Sequence, residues 1–411
     1  MLVVALLTAV SCGNAPSVRQ PETPGPQETP TSSPTAPLTA APSPTDAGAT
    51  GEVSRFVRVL LPSWRPAGPT IVVDRRPGVG KGHVIVALPL SGAAAVDLVA
   101  FPGDSLTWDI RPDGSKIVAS VSTYCGSGAC DQQATRLAVV DARTGNSRWL
   151  TAPDETRSLG NPLWSPDGAF VYYRAGTAGT QGADLGIFRI RADGTDATRI
   201  TDPVPPAPAS FGQTLSTSRP LRVTESGLLF WSAFAGERAM LRVRDLASGS
   251  DRAFVTDDQC LGVVAWRPAP PGALVVHGGC QTPGSRLTLW DLRTGAQTLL
   301  VDRPAIVYDA DWDAAGTRIV SAMADGALPQ PQLAFLNGRD ATPIRDTANA
   351  FSVRWLPVGI AYTTFADPQA TPTPDCPFGI SMIHFLPGAA GPPRTVYSGC
   401  GVAGVLHAIN P

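Results

Sequence analysis

The sequence is poor in charged residues. Only 16% of the 411 residues are charged, against about 25% in an average soluble protein, and lysine occurs only at Lys81 and Lys116. The 32 basic residues are nearly balanced by 34 acidic ones, which leaves a net charge of -2. Because nucleic-acid phosphates require a basic face, this balance argues against DNA or RNA as a partner.

Common catalytic and metal-binding signatures are also missing. No G-x-S-x-G nucleophile elbow occurs, and Ser127 lies between cysteines without a Ser-His-Asp arrangement. The stretch GVGKGH at 78–83 lacks the first glycine of a phosphate loop and has Gly82 where Ser or Thr would hold magnesium. Four histidines lie far apart without a metal-ligand spacing: His83, His277, His384 and His407. We therefore expect no metal and no cofactor, and an enzyme is the less favoured interpretation.

The apolar run at the N terminus is too short to cross a membrane. Residues 2–10 are apolar except for Thr8, whereas a bilayer span needs about 20 apolar residues, so the run has the size of a signal-peptide core. The segment AVSC at 9–12 resembles the bacterial lipobox, in which the cysteine is diacylated and becomes the first mature residue. Two departures are Ala9, where Leu is commonest, and the absence of Lys or Arg before the run, which suggests a start codon upstream of Met1.

The segment after Cys12 has the composition of a tether. Residues 13–50 contain nine prolines with many Thr and Ser and almost no large apolar residues, so they cannot bury enough surface to fold. At about 3.1 Å per residue, such a chain reaches up to roughly 100 Å. We predict a lipoprotein signal peptide over 1–11 and a lipidated, disordered linker over 12–52, anchored to the outer face of a bacterial membrane. The alternative is an ordinary secretory signal with an incidental Cys12.

A repeat occupies residues 53–411. Each copy has an apolar strand ending in Trp, a turn containing Gly and a second apolar strand, and the copies lie at Trp64, Trp108, Trp164, Trp266, Trp312 and Trp355. Val223 takes the Trp place in a degenerate copy. The turn glycines follow one another at steps of 46, 54, 59, 45, 44 and 43 residues, a period typical of propeller blades. We interpret the Trp residues as blade packing and not as a sugar-binding platform.

A second hairpin follows each copy, so each unit supplies four strands. Seven such units predict an all-β propeller of seven four-stranded blades, with six or eight blades as alternatives. A radial array of this kind leaves only short and protected sheet edges. The abundance of turn residues, 41 Gly and 41 Pro, agrees with this prediction.

The segments WSPDGAFVYY at 164–173 and RPDGSKIVAS at 111–120 resemble the WD40-like (PD40) repeat of the TolB type. That repeat also occurs in the propellers of prolyl-oligopeptidase and dipeptidyl-peptidase relatives. The resemblance covers about 350 residues and implies a β-propeller. TolB carries an additional α/β domain and the peptidases a hydrolase domain, for which this chain has no room. The resemblance therefore implies a stand-alone propeller.

Six cysteines remain if Cys12 carries lipid, and exported proteins oxidise such thiols. Of the fifteen connectivities, pairing of sequence neighbours is the simplest: Cys125 with Cys130, Cys260 with Cys280, and Cys376 with Cys400. In four-stranded blades all six cysteines follow second or fourth strands, so all lie on one face of the propeller. The longer insertions, at 123–133, 175–184, 203–218 and 367–378, lie on the same face.

Acidic residues cluster before one of the predicted turns. Asp309, Asp311 and Asp313 mimic the start of a calcium loop, but its sixth-place Gly and twelfth-place Glu are missing. Their period of two predicts one side of an innermost strand, opposite Trp312. With Asp109 they could line the channel and hold a cation. The alternative is a set of solvated strand and turn acids.

The sequence favours a non-catalytic binding or scaffolding module, since rigid scaffolds commonly carry function on loops. The expected partner is an envelope protein or polymer, bound by a monomer through the face with the disulfides and insertions. The rival is an envelope enzyme acting on peptide or polysaccharide through Asp109, Asp309 and Asp311. A small-ligand receptor is a third possibility.

Overall fold

The computed structural model describes most of the chain after residue 52. The described ranges are 53–77, 82–103, 106–122, 134–178, 183–203, 219–235, 238–255, 261–267, 272–278, 285–301, 305–325, 330–337, 340–365, 373, 376, 380–388, 391–401 and 406–409. Cys12, the signal peptide of residues 1–11 and the linker of residues 12–52 lie outside them.

The first 28 strands fall into seven consecutive groups, one for each blade. Blade 1 has β1 (Arg58–Val59), β2 (Thr70–Arg75), β3 (His83–Pro89) and β4 (Val96–Phe101). Blade 2 has β5 (Leu106–Ile110), β6 (Lys116–Ser122), β7 (Thr135–Asp141) and β8 (Ser147–Trp149). Blade 3 has β9 (Arg157–Trp164), β10 (Phe170–Thr177), β11 (Asp184–Arg191) and β12 (Thr198–Arg199).

The remaining blades continue the same order. Blade 4 has β13 (Arg219–Val223), β14 (Leu228–Ala235), β15 (Arg238–Asp245) and β16 (Asp251–Val255). Blade 5 has β17 (Leu261–Arg267), β18 (Gly272–Gly278), β19 (Ser285–Asp291) and β20 (Gln297–Val301). Blade 6 has β21 (Ala305–Trp312), β22 (Ile319–Asp325), β23 (Gln332–Asn337) and β24 (Asp340–Pro343). Blade 7 has β25 (Ala350–Leu356), β26 (Gly359–Phe365), β27 (Ile380–Pro387) and β28 (Arg394–Cys400).

Blade 1 is built from both ends of the propeller. The last described strand, β29 (His407–Ile409), pairs antiparallel with β2, with Ile409 opposite Thr70 and His407 opposite Val72. At the other edge β1 pairs with β4. The described strands thus form six antiparallel sheets of four strands and one of five, which confirms the predicted all-β propeller.

The role predicted for Trp64 was wrong in one respect, because no strand ends there. Trp64 lies in an irregular segment, donates its backbone N–H to the Ala142 carbonyl at 3.0 Å and is 7% exposed. Proline lacks the N–H needed for a strand ladder, and Pro62, Pro66 and Pro69 interrupt this stretch. The innermost strand of blade 1 is therefore β29, which comes from the opposite end of the chain.

Apolar packing closes the ring. Among the described residues, buried apolar side chains form seven clusters, each shared by two neighbouring blades. One cluster joins Ile71 and Val73 of blade 1 to Leu356 and Ile383 of blade 7. Burial of such side chains contributes about 25 cal/mol per Å² of apolar surface, so each blade is stabilised chiefly by its neighbours.

The two faces of the propeller differ in their connections. We call the end with the turns after first and third strands the turn face, for example 111–115, 142–146 and 165–169. The opposite end, where second and fourth strands terminate, is the loop face. Of the predicted insertions there, 123–133 lies outside the described residues, as do most of 203–218 and 367–378 and the middle of 175–184.

The strand register explains the displaced tryptophan of blade 2. Trp164 pairs with Val171 across the turn of blade 3, and Ile110 pairs with Ile117 at the corresponding place in blade 2. Ile110 therefore occupies the Trp place, and Trp108 lies two residues earlier on the same face of the strand. Trp164 and Trp312 are buried at 4% and 7% exposure, in agreement with a packing role.

Candidate functional site: the central channel

The residue before each Trp place occupies an equivalent position in the innermost strands. We call it the clamp position. Asp109 of blade 2 and Asp311 of blade 6 occupy it, as their pairing with Val118 and Val320 shows. The other described occupants are Leu163 of blade 3, Arg222 of blade 4, Ala265 of blade 5 and Arg354 of blade 7.

Acids at the clamp position bind the next blade. Asp109 Oδ2 accepts the backbone N–H of Trp164 at 2.8 Å, and Asp311 Oδ2 accepts that of Trp355 at 2.7 Å. Asp311 Oδ1 also accepts the N–H of Trp312 at 2.9 Å. These contacts join the first strands of consecutive blades, which places those strands innermost around the axis. The two carboxylates thus perform the same structural task at two places in the ring.

Asp309 makes a second connection between blades 6 and 7. Its Oδ2 accepts hydrogen bonds at 3.0 Å from the Ser352 hydroxyl, the Val353 N–H and the Arg354 guanidinium. Its Oδ1 accepts the Ala310 N–H at 2.9 Å. Asp309 is 8% exposed, so this carboxylate is buried with its partners in place, as a buried charge requires.

The pKa values of Asp311 and Arg354 are both shifted in the channel. Burial raises the pKa of Asp311 to about 6, against the opposing effects of Arg354 and the two backbone hydrogen bonds. For Arg354, burial lowers the pKa, but the charges of Asp309 and Asp311 outweigh it and leave the pKa raised. The channel therefore combines an ion pair with a carboxyl group whose pKa lies close to neutrality.

His407 connects the closing strand to blade 2. Its ring lies 4.4 Å from the Trp108 ring between centroids, and its Nδ1 lies 3.3 Å from Asp109 Oδ1. Asp109 thus touches three blades, through its own strand, Trp164 and His407. This contact was not foreseen from the sequence, because β29 has no hairpin partner beside it in the chain.

Asp313 does not join the channel acids. It lies after the end of β21, where its carboxylate accepts the N–H groups of Thr317 at 2.8 Å and Arg318 at 3.1 Å. The strand ends at Trp312, so the period of two stops applying to Asp313. The predicted set of three acids on one strand side is therefore wrong for Asp313.

The acids of the turn face share this local role. Asp167, Asp193, Asp245 and Asp291 each accept hydrogen bonds from residues two or three positions later. Hydrogen bonding within these turns lowers the pKa of all four carboxyl groups. Such Asx turns fix the tight connections of this face.

One predicted disulfide can be seen on the loop face. Cys376 and Cys400 are bonded, with their Cα atoms 5.4 Å apart. Cys400 ends β28, and the next residue, Gly401, accepts the Arg76 N–H at 3.0 Å, which connects blade 7 to blade 1. The pairs Cys125–Cys130 and Cys260–Cys280 lie outside the described residues.

The channel carboxylates are engaged in structure. Each oxygen of Asp309 and Asp311 already accepts at least one hydrogen bond from the protein. The described part of the chain contains no group of three or more His, Cys, Asp or Glu side chains suited to a metal ion. Nor does it contain a helix long and apolar enough to cross a membrane.

Comparison with known proteins supports the fold. No protein-family model and no curated protein matches the sequence. A puromycin-hydrolyzing peptidase of Mycobacterium tuberculosis is similar in structure, with a TM-score of 0.57 and 14% identity over 88% of this chain and 56% of that one. A structure from a study of two prolyl endopeptidases is also similar. Its TM-score is 0.56, with 15% identity over 84% of this chain and 50% of that one.

TolB-type propellers are also among the structural neighbours. TolB from Acinetobacter baumannii has a TM-score of 0.45 and 14% identity over 69% of this chain and 66% of TolB. The chain spans between half and two thirds of the length of these three neighbours. At 14–15% identity, the similarity to the two peptidase structures supports the fold alone.

Proposed function

We propose that this protein is a lipid-anchored extracytoplasmic propeller that binds an envelope protein or polymer without catalysing a reaction. The observation that carries the proposal is the engagement of the channel acids. Asp109, Asp309 and Asp311 hold neighbouring blades together, and a carboxylate occupied in this way is poorly placed to transfer a proton or attack a substrate.

Binding through the loop face is supported by the disulfide. Cys376 lies between β26 and β27, and its bond to Cys400 braces that connection against the outermost strand of blade 7. The two residues are 24 positions apart, and closing a loop of this length stabilises a protein by about 3 kcal/mol in the chain-entropy account. A braced connection presents a partner with a surface that needs little ordering on binding.

The anchor is proposed from the sequence at 9–12. A Cys12→Ser variant expressed in a bacterial host should lose metabolic labelling by palmitate and move from the membrane fraction to the soluble exported fraction. Retention of the variant in membranes would contradict lipidation at Cys12. An Asn14→Ser variant, two residues further on, serves as the matched control.

The binding role is tested by cross-linking in intact cells followed by affinity capture. A partner that is captured by the wild-type protein should no longer be captured when residues 204–218 are replaced by a short Gly-Ser connection. It should also be lost in the Cys376→Ser/Cys400→Ser double variant, whereas Arg293→Gln on the turn face should retain it. Equal recovery with the shortened loop and the double variant would contradict a loop-face partner.

The rival function is an envelope enzyme acting on peptide or polysaccharide. One observation favours it, since a carboxyl group with a pKa near 6, such as Asp311, suits general acid or base chemistry. Incubation of the purified protein with labelled envelope peptides and polysaccharides discriminates the two. Turnover that Asp311→Asn abolishes in a folded variant would replace our proposal with the enzymatic one.

A further inference from the structure

Arg222 is the clamp-position residue of blade 4 and lies on the innermost strand, β13. Its side chain is exposed to solvent, whereas the next residue, Val223, is 7% exposed and belongs to the packed core. Within the described part of the chain, Arg222 forms no side-chain hydrogen bond or ion pair. Arg354, at the same position in blade 7, is by contrast paired with Asp309 at 3.0 Å.

The charges around Arg222 come from opposite sides of the ring. Although Arg222 is exposed, the protein around it limits hydration of its guanidinium and leaves the pKa lowered, against the charges of Asp311, Asp109 and Glu225, which raise it. Asp109 belongs to blade 2 and Asp311 to blade 6, so each is two blades away from blade 4 in a different direction. The clamp position lies at the same level of each innermost strand, so Arg222, Asp109 and Asp311 border the channel from three different blades.

The two carboxylates retain the capacity to bind a cationic group. A carboxylate oxygen offers two lone pairs, and Asp311 uses one on each oxygen for the N–H groups of Trp312 and Trp355. Asp109 uses one for Trp164, and its other oxygen lies beside His407. Neither acid is close enough to Arg222 to form an ion pair with it.

This arrangement discriminates between kinds of ligand. A simple anion at Arg222 would be repelled by Asp109 and Asp311, and a simple cation at either acid would be repelled by Arg222. A molecule with a carboxylate at one end and an ammonium group at the other satisfies all three charges. An arginine fork also matches a planar carboxylate better than any other side chain does.

We propose that the channel binds a small amino-acid zwitterion, with its carboxylate on Arg222 and its ammonium group on Asp109 or Asp311. The site lies near the turn face, since Arg222 is the penultimate residue of β13. The following turn, at 224–227, is a tight one closed by the Gly227 N–H to the Thr224 carbonyl at 3.0 Å.

Calorimetric titration with a graded set of probes tests the proposal. Glycine, 4-aminobutyrate and 6-aminohexanoate carry both charges at increasing separation, N-acetylglycine carries only the carboxylate, and glycinamide carries only the ammonium group. At least one zwitterion should bind saturably and at least tenfold more tightly than both single-charge probes. The preferred length reports the distance between the two binding groups.

Substitutions locate the site. Arg222→Gln should weaken binding of the preferred zwitterion at least tenfold, Arg222→Lys should weaken it less, and Arg293→Gln, an exposed turn-face arginine, should leave it unchanged. Circular dichroism and thermal unfolding confirm that each variant is folded, and Arg222→Lys provides the test if Arg222→Gln is not.

Three results would overturn the proposal. The first is no saturable binding of any zwitterion by the wild type. The second is binding of N-acetylglycine or glycinamide as tight as that of the zwitterions, which would indicate a site for one charge only. The third is unchanged zwitterion affinity in a folded Arg222 variant, which would leave Arg222 with the role of a channel counter-charge.

Discussion

Asp311 and Asp313 lie two residues apart in the sequence and behave in opposite ways. Asp311 is the penultimate residue of β21 and borders the channel, where burial raises its pKa to about 6. Asp313 begins a turn, where burial also raises the pKa but hydrogen bonds from Thr317 and Arg318 prevail and lower it to about 2. The channel acid joins two blades, whereas the turn acid stabilises only its own connection.

The carboxylates of the channel and those of the turn face differ in the same way. In the channel, carboxylates hold together strands that are distant in sequence, such as Asp109 with Trp164. On the turn face, carboxylates bind backbone N–H groups two to five residues away, as Asp193 does with Thr195. We therefore expect channel substitutions to weaken the ring and turn substitutions to have local effects.

The largest expected effect is that of Asp309→Ala. The substitution leaves the Arg354 guanidinium without its carboxylate and the Val353 N–H without its acceptor, so the free energy of unfolding should fall by about 3–5 kcal/mol. Denaturant unfolding measures the loss. Asp340→Ala, an exposed acid of the same blade, is the control and should change stability by less than about 0.5 kcal/mol. Equal effects of the two substitutions would contradict the role of Asp309 in joining blades 6 and 7.

The pH dependence of Asp311 should follow from its raised pKa. A carboxyl group with a higher pKa in the folded protein favours folding below its unfolded pKa of about 4, and this contribution is lost as the pH rises through about 6. From pH 7 to pH 4 the wild type should therefore gain stability relative to Asp311→Asn, by on the order of 2–3 kcal/mol at 1.4 kcal/mol per pKa unit. A difference independent of pH would contradict the raised pKa.

Asp313→Ala should cost less and show the opposite pH trend. We expect a loss of about 1.5 kcal/mol at pH 7, since hydrogen bonds to the charged carboxylate disappear while their donors stay near solvent. Because the folded pKa is lowered, the contribution is present above pH 4 and lost as the pH falls towards 2. The wild type and variant should therefore converge in stability at low pH, and a constant gap would count against the prediction.

Asp193→Ala should have the smallest effect. Its carboxylate binds Thr195 within an exposed turn, so we expect a loss of less than about 1 kcal/mol in thermal unfolding. Glu155→Ala, which removes an exposed turn acid elsewhere in the ring, is the control. A loss as large as that of Asp309→Ala would remove the distinction between the two regions.

The sequence predicted much of the fold because its signals are local. The W-x-P-D-G turn at 164–168 and the equivalent turn at 111–114 join strands that are adjacent in the chain, so residue spacing alone identified them. The clamp position could also have been found, since it always precedes the Trp place. Its importance was missed because the partner N–H groups, those of Trp164 and Trp355, lie in other repeats about 45–55 residues away.

The repeat, its strand pairs and its Asp-bound turns follow from the order of the residues, because all of these arise from contacts between near neighbours. That His407–Ile409 completes blade 1, and that Asp309 and Asp311 bind blade 7, became evident from the folded ring. Ring closure also places Arg222 and Asp109 at equivalent positions of innermost strands in two different blades. These features depend on ring closure, which brings together side chains from distant repeats through packing that no short segment encodes.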